Sequence, residues 1–572
     1  MSSKIPPTMV DKFRGLQRIS YLLNPKTILV RNPTGNVIMN VAETIKDLPG
    51  TMVDKITSAI RKSTRTTALP SAGRLKAQLK GMAEGLSEAI KDIKAGVDTS
   101  PTVGMLEMPR RDVFSNRNPI GRTLNKADKL VGQMLQLGDR PFYQGAYNER
   151  ISDLLKLNKT KEVTQEMMDM AHDYALERVF QNDSGIAQFF KAIKTPPAKA
   201  PAGIKATWGF IANGIIPFSK TPANILNKLL EYSPAGLAKA IGHAGLSKAG
   251  KTVFNQKYFV DNIARGLTGT GLALLGYAMA SKGIVKGKTD KDKDVAAFER
   301  LMGINSYSIV VDGKSYTFDW AQPIGSVLAA GADAYYSGMN KDNFSEQMSA
   351  ALQGYGNTFF NQSMMQSLSR FLNTYNPISG VASSVLNTTN IVTPTLGAQV
   401  ARTIDPYVRD TSADTGAAEW VNKLLARTPG LSMTLPKKID TLGQEQKQSQ
   451  GRGLLARAFE QFISPGYFGD MEKANDTMKQ IYDIYKTAEV DNPKAIFPKL
   501  APDSFSKTTK GKKNTIKLTA EQKQEWQKLS GEYYSKKFNA RTAGRTTEGK
   551  AKALTKLADE AYEYAKKQIF SK

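Results

Sequence analysis

The chain has 572 residues and a formal net charge of +27, with 79 Lys and Arg residues against 52 Asp and Glu residues. Its apolar content of 41% and mean hydropathy of −0.37 allow a sizeable core and exclude a chain disordered throughout. The lack of cysteine excludes disulfide bonds, zinc–thiolate sites and thiol nucleophiles. The excess positive charge favours a polyanionic partner, either nucleic acid or anionic lipid headgroups, over a merely basic soluble protein.

Residues 1–130 are predicted to form a basic helical region, because they hold 22 basic and 11 acidic residues. Asn32-Pro33 has the pattern of an N-cap followed by proline in the first helical turn, with a hairpin through residues 32–35 as the alternative. Apolar residues then follow near helical spacing at Val37, Val41, Ile45 and Leu48. The candidate contacts with nucleic acid or an anionic surface in this region are Arg61, Lys62 and Arg65.

A second helical domain is predicted over residues 131–193, and the Pro-rich stretch 194–202 is typical of a linker. Residues 203–470 are then expected to form a central helical core that contains two apolar runs rich in small residues, Trp208–Phe218 and Gly266–Val285. Small residues permit close approach of helices, both in a core and in a membrane bundle.

The second run has about 14 residues of low polarity between Leu267 and Ala280, whereas a bilayer-spanning helix needs about 20. The sequence therefore favours a helical core, with membrane insertion after release from a particle as the alternative. The residues that would insert are Leu267, Leu272, Leu274, Leu275, Tyr277 and Met279.

One β-hairpin is predicted at about residues 306–320, where alternating apolar residues flank Asp312-Gly313, a pair typical of a type I′ turn. Residues 471–572 form a basic, helical C-terminal region, and from Phe505 onward they hold 17 basic and 7 acidic residues. Its candidate contacts with an anionic partner are Lys512, Lys513, Lys536 and Lys537. The predicted fold is mainly α, with many helices and this one small hairpin.

Several motifs come close to catalytic or metal-binding patterns and miss them. The run Gly283-Ile-Val-Lys-Gly-Lys-Thr289 is one residue short of a phosphate-binding loop. The acidic run that begins at Asp290 has Val295 where a calcium loop needs Gly and Leu301 where it needs Glu. Neither of the two histidines, His172 and His243, has a catalytic partner nearby in the sequence. We therefore predict a protein that is not an enzyme and that has no cofactor or metal site.

Several short stretches, in this order, resemble a known family. They begin with Gly138-Asp-Arg-Pro-Phe-Tyr-Gln and Leu176-Glu-Arg-Val-Phe-Gln-Asn-Asp, and continue with Ile216-Pro-Phe-Ser-Lys-Thr-Pro-Ala-Asn, Glu231-Tyr-Ser-Pro, Gly266-Leu-Thr-Gly-Thr-Gly, Asp319-Trp-Ala-Gln-Pro, Thr428-Pro-Gly-Leu-Ser-Met-Thr-Leu-Pro and Phe462-Ile-Ser-Pro-Gly. The series is similar to the large polyvalent-protein-associated domains of phage and mobile-element proteins, over roughly residues 15–540.

This resemblance implies a protein that is packaged in a virion or transferred with DNA into a new host cell. We expect an internal virion protein that is ejected with the phage genome and assists passage of the DNA across the host envelope. The alternative is an accessory protein that protects entering DNA from host defences such as restriction. The expected partners are phage genomic DNA, portal or tail proteins of the virion, the host membrane and further copies of the chain. The expected location is the virion, and after ejection the host envelope or cytoplasm.

Overall fold

The computed structural model describes residue 7 and residues 9–97, 99–101, 112–195, 220–288, 290–338, 394–509 and 512–570. It confirms the predicted fold class, because helices dominate and the strands are few and short. In chain order the helices are α1 (Met9–Leu22), α2 (Asn32–Arg61), α3 (Ala72–Ala95), α4 (Pro119–Leu157), α5 (Gln165–Arg178), α6 (Gly185–Lys194), α7 (Lys220–Glu231), α8 (Pro234–Lys248), α9 (Gln256–Ser281), α10 (Lys293–Leu301), α11 (Ile324–Gly338), α12 (Thr395–Ile404), α13 (Gly416–Leu425), α14 (Leu454–Phe462), α15 (Asp476–Thr487), α16 (Ala520–Thr542) and α17 (Thr547–Phe570). The strands are β1 (Val285–Lys286), β2 (Ser308–Val311), β3 (Lys314–Thr317), β4 (Phe468–Asp470), β5 (Ser504–Thr509) and β6 (Lys512–Lys517).

The chain divides into two compact units. Unit 1 comprises residues 1–287 and 318–394, and unit 2 comprises residues 288–317 and 395–572. The expected boundary after residue 130 falls inside α4, which continues as one helix to Leu157. The division into four regions otherwise stays a prediction. The apolar run 208–218 and most of the predicted linker lie outside the described residues.

Most helices of unit 1 begin where the sequence offers a side-chain cap. Ser71, Asn118, Thr164 and Ser184 each accept a hydrogen bond from a backbone N–H in the first turn of the helix that follows. The predicted cap at Asn32 is wrong, because a short π-helix over Lys26–Arg31 leads directly into α2 and leaves Asn32 in helical conformation. Pro33 does lie in the first turn of α2, as its fixed φ favours.

Unit 1 has an apolar core in which α9 and α11 pack unusually closely. A Cβ added at Gly276 of α9 would lie 2.1 Å from the carbonyl oxygen of Leu328, and one at Gly331 of α11 would lie 1.9 Å from that of Ala273. Gly269 similarly faces the carbonyl oxygen of Tyr232. The predicted use of small residues for close helix approach is therefore confirmed for α9.

Unit 2 contains the predicted hairpin, whose strands β2 and β3 pair antiparallel with Val311 opposite Lys314. The turn residues Asp312 and Gly313 both have positive φ, 48° and 69°, as a type I′ turn requires. A third strand, β4, pairs with β3 and was not predicted. The buried positions of the hairpin are Ser308 and Ser315, each with 0% exposure, whereas Val311 and Tyr316 are exposed.

A pair of helices closes unit 2 at its C-terminal end. Helices α16 and α17 bury Trp526, Tyr534, Phe538, Leu554 and Leu557. Both helices lie in the region 471–572 that is predicted to be helical, and Thr519 starts α16 with a capping box formed with Gln522.

Candidate functional site: a buried charge network beneath an apolar outer face

Helix α2 is amphipathic in the opposite sense to a surface helix of an ordinary globular protein. All four ionisable residues between 32 and 54 are buried, namely Glu43, Lys46, Asp47 and Asp54. Seven large apolar side chains instead form what we call the outer face of α2, with exposed fractions of 48–76%: Val37, Val41, Ile45, Leu48, Met52, Ile56 and Ile60. From residue 32 to residue 54 the helix therefore turns its charges inward and its apolar side chains outward.

The inward charges of α2 meet a central arginine from α9. Arg265 holds Glu43 in a bidentate ion pair, with Nε–Oε1 at 2.8 Å and Nη2–Oε2 at 3.0 Å. The same guanidinium lies 2.9 Å from carboxylate oxygens of both Glu231 and Glu177. Tyr232 donates a further hydrogen bond to Glu43 at 3.0 Å. One buried arginine thus joins three carboxylates from three other helices.

Burial opposes ionisation of these carboxylates, yet the neighbouring cations outweigh it. Desolvation alone would raise the pKa of Glu43, but Arg265 and Lys46 hold that pKa well below its usual range. The pKa of Glu177 falls to about 2 for the same reason, since Lys228 and Arg265 offset its burial. These carboxylates therefore stay charged inside unit 1 at neutral pH.

A lysine–aspartate cluster continues the network along α2 and α9. Nζ of Lys46 lies 2.9 Å from Oδ1 of Asp261 and 2.8 Å from Oδ1 of Asp47. Lys257 binds the other oxygen of Asp261 at 2.6 Å. Burial lowers the pKa of Lys257 to about 8 despite the attraction of Asp261, whereas Lys46, which faces several carboxylates, has its pKa raised.

Asp47 links this cluster to a second arginine centre between α3, α4 and α5. Nη2 of Arg74 lies 2.6 Å from Oδ2 of Asp47, and its Nε donates to Oε1 of Glu149 at 2.9 Å. Glu149 also pairs with Arg178 at 3.1 Å and accepts a hydrogen bond from Tyr174 at 3.0 Å. We call the connected set the buried charge network; its main members are Glu43, Lys46, Asp47, Arg74, Glu149, Asp153, Glu177, Arg178, Lys228, Glu231, Lys257, Asp261 and Arg265, of which Glu177 and Lys257 are half-buried.

The carboxylates of the network are occupied by ion pairs within the network itself. Each carboxylate described above pairs with a cation, whereas burial raises the pKa of Asp153, 3.5 Å from Arg74, to about 6. Among the described residues, no three His, Asp or Glu side chains come together in an arrangement that could hold a metal ion. The arrangement instead fixes the inner faces of α2, α3, α4, α5, α7 and α9.

A separate cavity of about 200 Å³ lies in unit 2 beside α12, lined in part by Ala401, Arg402 and Tyr407. Its one carboxylate, Asp405, accepts hydrogen bonds from Arg409 at 2.9 and 3.0 Å and from Ser432 at 2.9 Å. Burial alone would raise the pKa of Asp405, but these hydrogen bonds lower it. This carboxylate is held ionised and in place by its own neighbours.

The predicted membrane-inserting residues lie on α9, and only some of them face outward. Leu267, Leu274 and Leu275 are exposed, by 45–49%, and lie on a stretch without exposed charge. Leu272, Tyr277 and Met279 are half-buried, and Tyr277 packs edge-on against Tyr335 with ring centroids 5.4 Å apart. Within the described ranges, no helix is both long enough and apolar enough to cross a membrane.

The predicted cationic residues of unit 1 lie together at the C-terminal end of α2. Arg61 and Lys62 are exposed, and the guanidinium of Arg61 lies 3.9 Å from the ring centroid of Phe254. Arg65 is half-buried, with its Nε 3.9 Å from Oδ2 of Asp54. These cations therefore border the C-terminal end of the outer face of α2.

Unit 2 has further basic residues near the predicted Lys536 and Lys537, in the segment that joins α16 to α17. Lys536 and Lys537 are exposed on α16, while Lys512 and Lys513 begin β6 with side chains outside the described set. Residues 533–556 hold seven basic residues and one acidic residue, Glu548. We call this segment the cationic hairpin end; its basic members are Lys536, Lys537, Arg541, Arg545, Lys550, Lys552 and Lys556. Helices α16 and α17 pack on each other, and Arg541 pairs with Glu560, which lies just beyond this segment.

The exposed apolar face of α2 and its buried charged face were not predicted, because the sequence does not show which face of a helix is buried. The helical spacing of Val37, Val41, Ile45 and Leu48 was recognised, but its exposure depends on partners far away in the chain. The signal that could have found it is the parallel helical spacing of charged residues at 43, 46, 47 and 54.

No protein-family model, no curated protein and no solved structure matches this chain.

Proposed function

We propose that this chain is an internal phage virion protein that leaves the particle with the genome and assists passage of DNA across the host envelope, without catalytic activity. The observation that carries the proposal is the cationic hairpin end of unit 2, where seven basic residues accompany one acidic residue. The resemblance to polyvalent-protein-associated domains supports the phage context. The apolar outer face of α2 favours this proposal over an antirestriction role, which needs no apolar surface.

The cationic hairpin end suits the phosphate backbone of DNA. Five of its side chains are exposed, namely Lys536, Lys537, Arg545, Lys552 and Lys556. Four of them are carried by the packed helices α16 and α17, whose backbones are held in place before DNA arrives, and Arg545 lies in the turn between them. Lysine and arginine side chains that contact phosphates bind DNA without reading its sequence, and each contact releases counterions. A protein that accompanies a whole genome needs this kind of binding.

The first test measures duplex DNA binding against salt concentration. We expect log K to fall linearly with log[salt], and the Arg545→Gln/Lys552→Gln variant to reduce the slope by about 2, since each lost phosphate contact contributes about 0.9. The matched control is Lys473→Gln/Lys479→Gln, which removes two exposed cations of unit 2 that lie among acidic residues. An equal change of slope in both variants would show that only net charge matters and would refute a DNA-binding surface at the hairpin.

The second test concerns the particle itself. Quantitative mass spectrometry of intact virions and of particles emptied of DNA is expected to find the protein in the first and not in the second. Retention in the emptied particles would contradict ejection. Protection of incoming DNA from restriction by the protein supplied in trans, together with absence from virions, would establish the accessory role instead.

A further inference from the structure

We infer that the outer face of α2 is a lipid-contact surface that lies against an anionic bilayer. The inference rests on the proposed function, because it names the surface through which an ejected protein engages the host envelope. It is carried by a different part of the molecule, since the cationic hairpin end belongs to unit 2 and α2 belongs to unit 1.

The outer face of α2 is long, and it carries no exposed charge before Lys55. It extends from Val37 to Ile60, which at 1.5 Å per residue is about 35 Å. From residue 32 to residue 54 the exposed side chains are all apolar, and Lys55 is the first exposed charge. An exposed apolar surface of this extent marks a site of contact with a membrane or a partner rather than a surface left to water.

The buried charge network keeps this face outward. Rotating α2 to bury Val41 and Ile45 would bring Glu43 and Lys46 toward the surface and break their pairs with Arg265 and Asp261. Breaking a buried ion pair is strongly unfavourable, because it leaves uncompensated charge in a low-dielectric interior. These pairs therefore hold the charged face of α2 inward, and the described residues leave its apolar face exposed.

The composition of the face fits lipid better than a second copy of the chain. Interfaces between proteins are anchored by Trp, Tyr and Arg side chains and carry about one hydrogen bond per 100–200 Å². The outer face of α2 has only Val, Ile, Leu and Met, so it offers neither anchors nor hydrogen-bonding groups. Acyl chains require neither, because they adapt their shape and form no hydrogen bonds.

The charges beside the apolar surface match an anionic headgroup layer. Arg61 and Lys62 border the C-terminal end of α2. Helix α3 also has exposed apolar residues, at Leu75, Leu79, Leu86 and Ile90, together with four exposed lysines (Lys76, Lys80, Lys91 and Lys94) and one exposed acidic residue, Glu88. Apolar side chains that enter the acyl boundary while lysines stay among the headgroups are characteristic of helices lying in a membrane interface.

The cysteine-free chain permits a direct test. We would introduce one cysteine at a time, at Val41 or Met52 in the outer face and at Lys161 as the exposed control, and attach an environment-sensitive fluorophore. Vesicles of phosphatidylglycerol and phosphatidylethanolamine are expected to shift the emission to shorter wavelength and raise it several-fold at both outer-face positions. The label at Lys161 is expected to change little, and vesicles of phosphatidylcholine alone to give a smaller response.

A second measurement uses unlabelled protein and vesicle flotation. Val41→Gln and Met52→Gln are each expected to lower partition into the anionic vesicles about five-fold, because each removes a roughly half-exposed apolar side chain from the lipid contact. Lys161→Gln is the matched control and is expected to leave partition unchanged within about two-fold. Far-ultraviolet circular dichroism of each variant shows whether the fold is intact, and the positions are exposed, so we expect no loss.

Two outcomes would overturn the inference. Flotation with vesicles but silent labels at Val41 and Met52 would place the membrane contact elsewhere. A blue-shifted label before vesicles are added would show the face already covered, by a second copy if sedimentation finds a dimer and by another part of the chain if it finds a monomer. Failure of the DNA-binding and virion tests alongside positive labels would instead refute the proposed function and leave the lipid surface standing.

Discussion

Removal of the central arginine of the buried charge network is the most direct test of how unit 1 is held together. We consider Arg265→Met, which keeps an unbranched side chain and deletes the charge. Arg265 pairs with buried Glu43 at 2.8 and 3.0 Å, with buried Glu231 at 2.9 Å and with half-buried Glu177 at 2.9 Å. The substitution therefore leaves three carboxylates with an excess of buried negative charge.

Breaking one buried ion pair by removing a partner costs about 3–5 kcal/mol, and three partners place this variant toward the upper end of that range. The assay is urea unfolding of the purified chain at neutral pH, followed by circular dichroism. Lys161→Met removes an exposed cation and serves as the control, with an expected change within about 0.5 kcal/mol.

The pH dependence of the loss in unfolding free energy is the more specific part of this prediction. In the wild type, Arg265 holds the pKa of Glu43 well below its usual range, so ionised Glu43 adds stability that is lost as pH falls toward that pKa. In the variant the desolvated carboxylates lack this partner, and protonation relieves their repulsion. The deficit should therefore be largest near pH 7 and shrink as pH approaches 4. A deficit below about 1 kcal/mol, or one independent of pH, would refute the view that these ion pairs hold unit 1 together.

Three further predictions concern unit 1. Urea midpoints should fall on acidification below about pH 4.5, because Glu43 and Asp261 have pKa values well below the ordinary range and the unfolded chain takes up their protons first. Asp139→Asn should stabilise the protein by about 1–2 kcal/mol at pH 8 and hardly at pH 4: burial raises the pKa of this carboxyl to about 7, so its ionisation costs stability as pH rises through that value. Gly276→Ala should destabilise by about 2–4 kcal/mol in thermal or urea unfolding, since its Cβ would lie 2.1 Å from a backbone oxygen of α11, whereas Gly271→Ala meets nothing within 4 Å and should stabilise slightly. Equal effects of the two alanines, or a gain from Asp139→Asn that is the same at both pH values, would contradict these assignments.

The sequence predicts best those features whose causes are local. The hairpin was found because Asp312 and Gly313 both tolerate positive φ and the flanking residues alternate. The helical character of residues 471–572 was also predicted, and α16 and α17 lie there. Strand β4 could not be found, because its partner β3 lies about 150 residues earlier in the chain. Likewise, Asn32 has the features of a helix start, but the preceding residues are already helical and remove the need for a cap.

The buried charge network could not be predicted from the sequence for the same physical reason. Its pairs join residues far apart in the chain, such as Glu43 with Arg265 and Arg74 with Glu149. Charges at helical spacing are usually a solvated face, and that expectation fails only when several helices bring compensating partners. The apolar spacing on α2 was therefore recognisable, whereas its outward direction was not.

The ion pairs between α2 and α9 also determine how far one helix can slide along the other. A shift of α9 by one turn would place Arg265 where Asp261 lies, against Lys46, or Asp261 where Arg265 lies, against Glu43. Each shift buries two like charges side by side, whereas an interface of leucines would accept it at small cost. The alternation of sign along α9 thus selects one alignment of the two helices, and a chain that unfolds has a single arrangement in which these charges are all paired when it folds again.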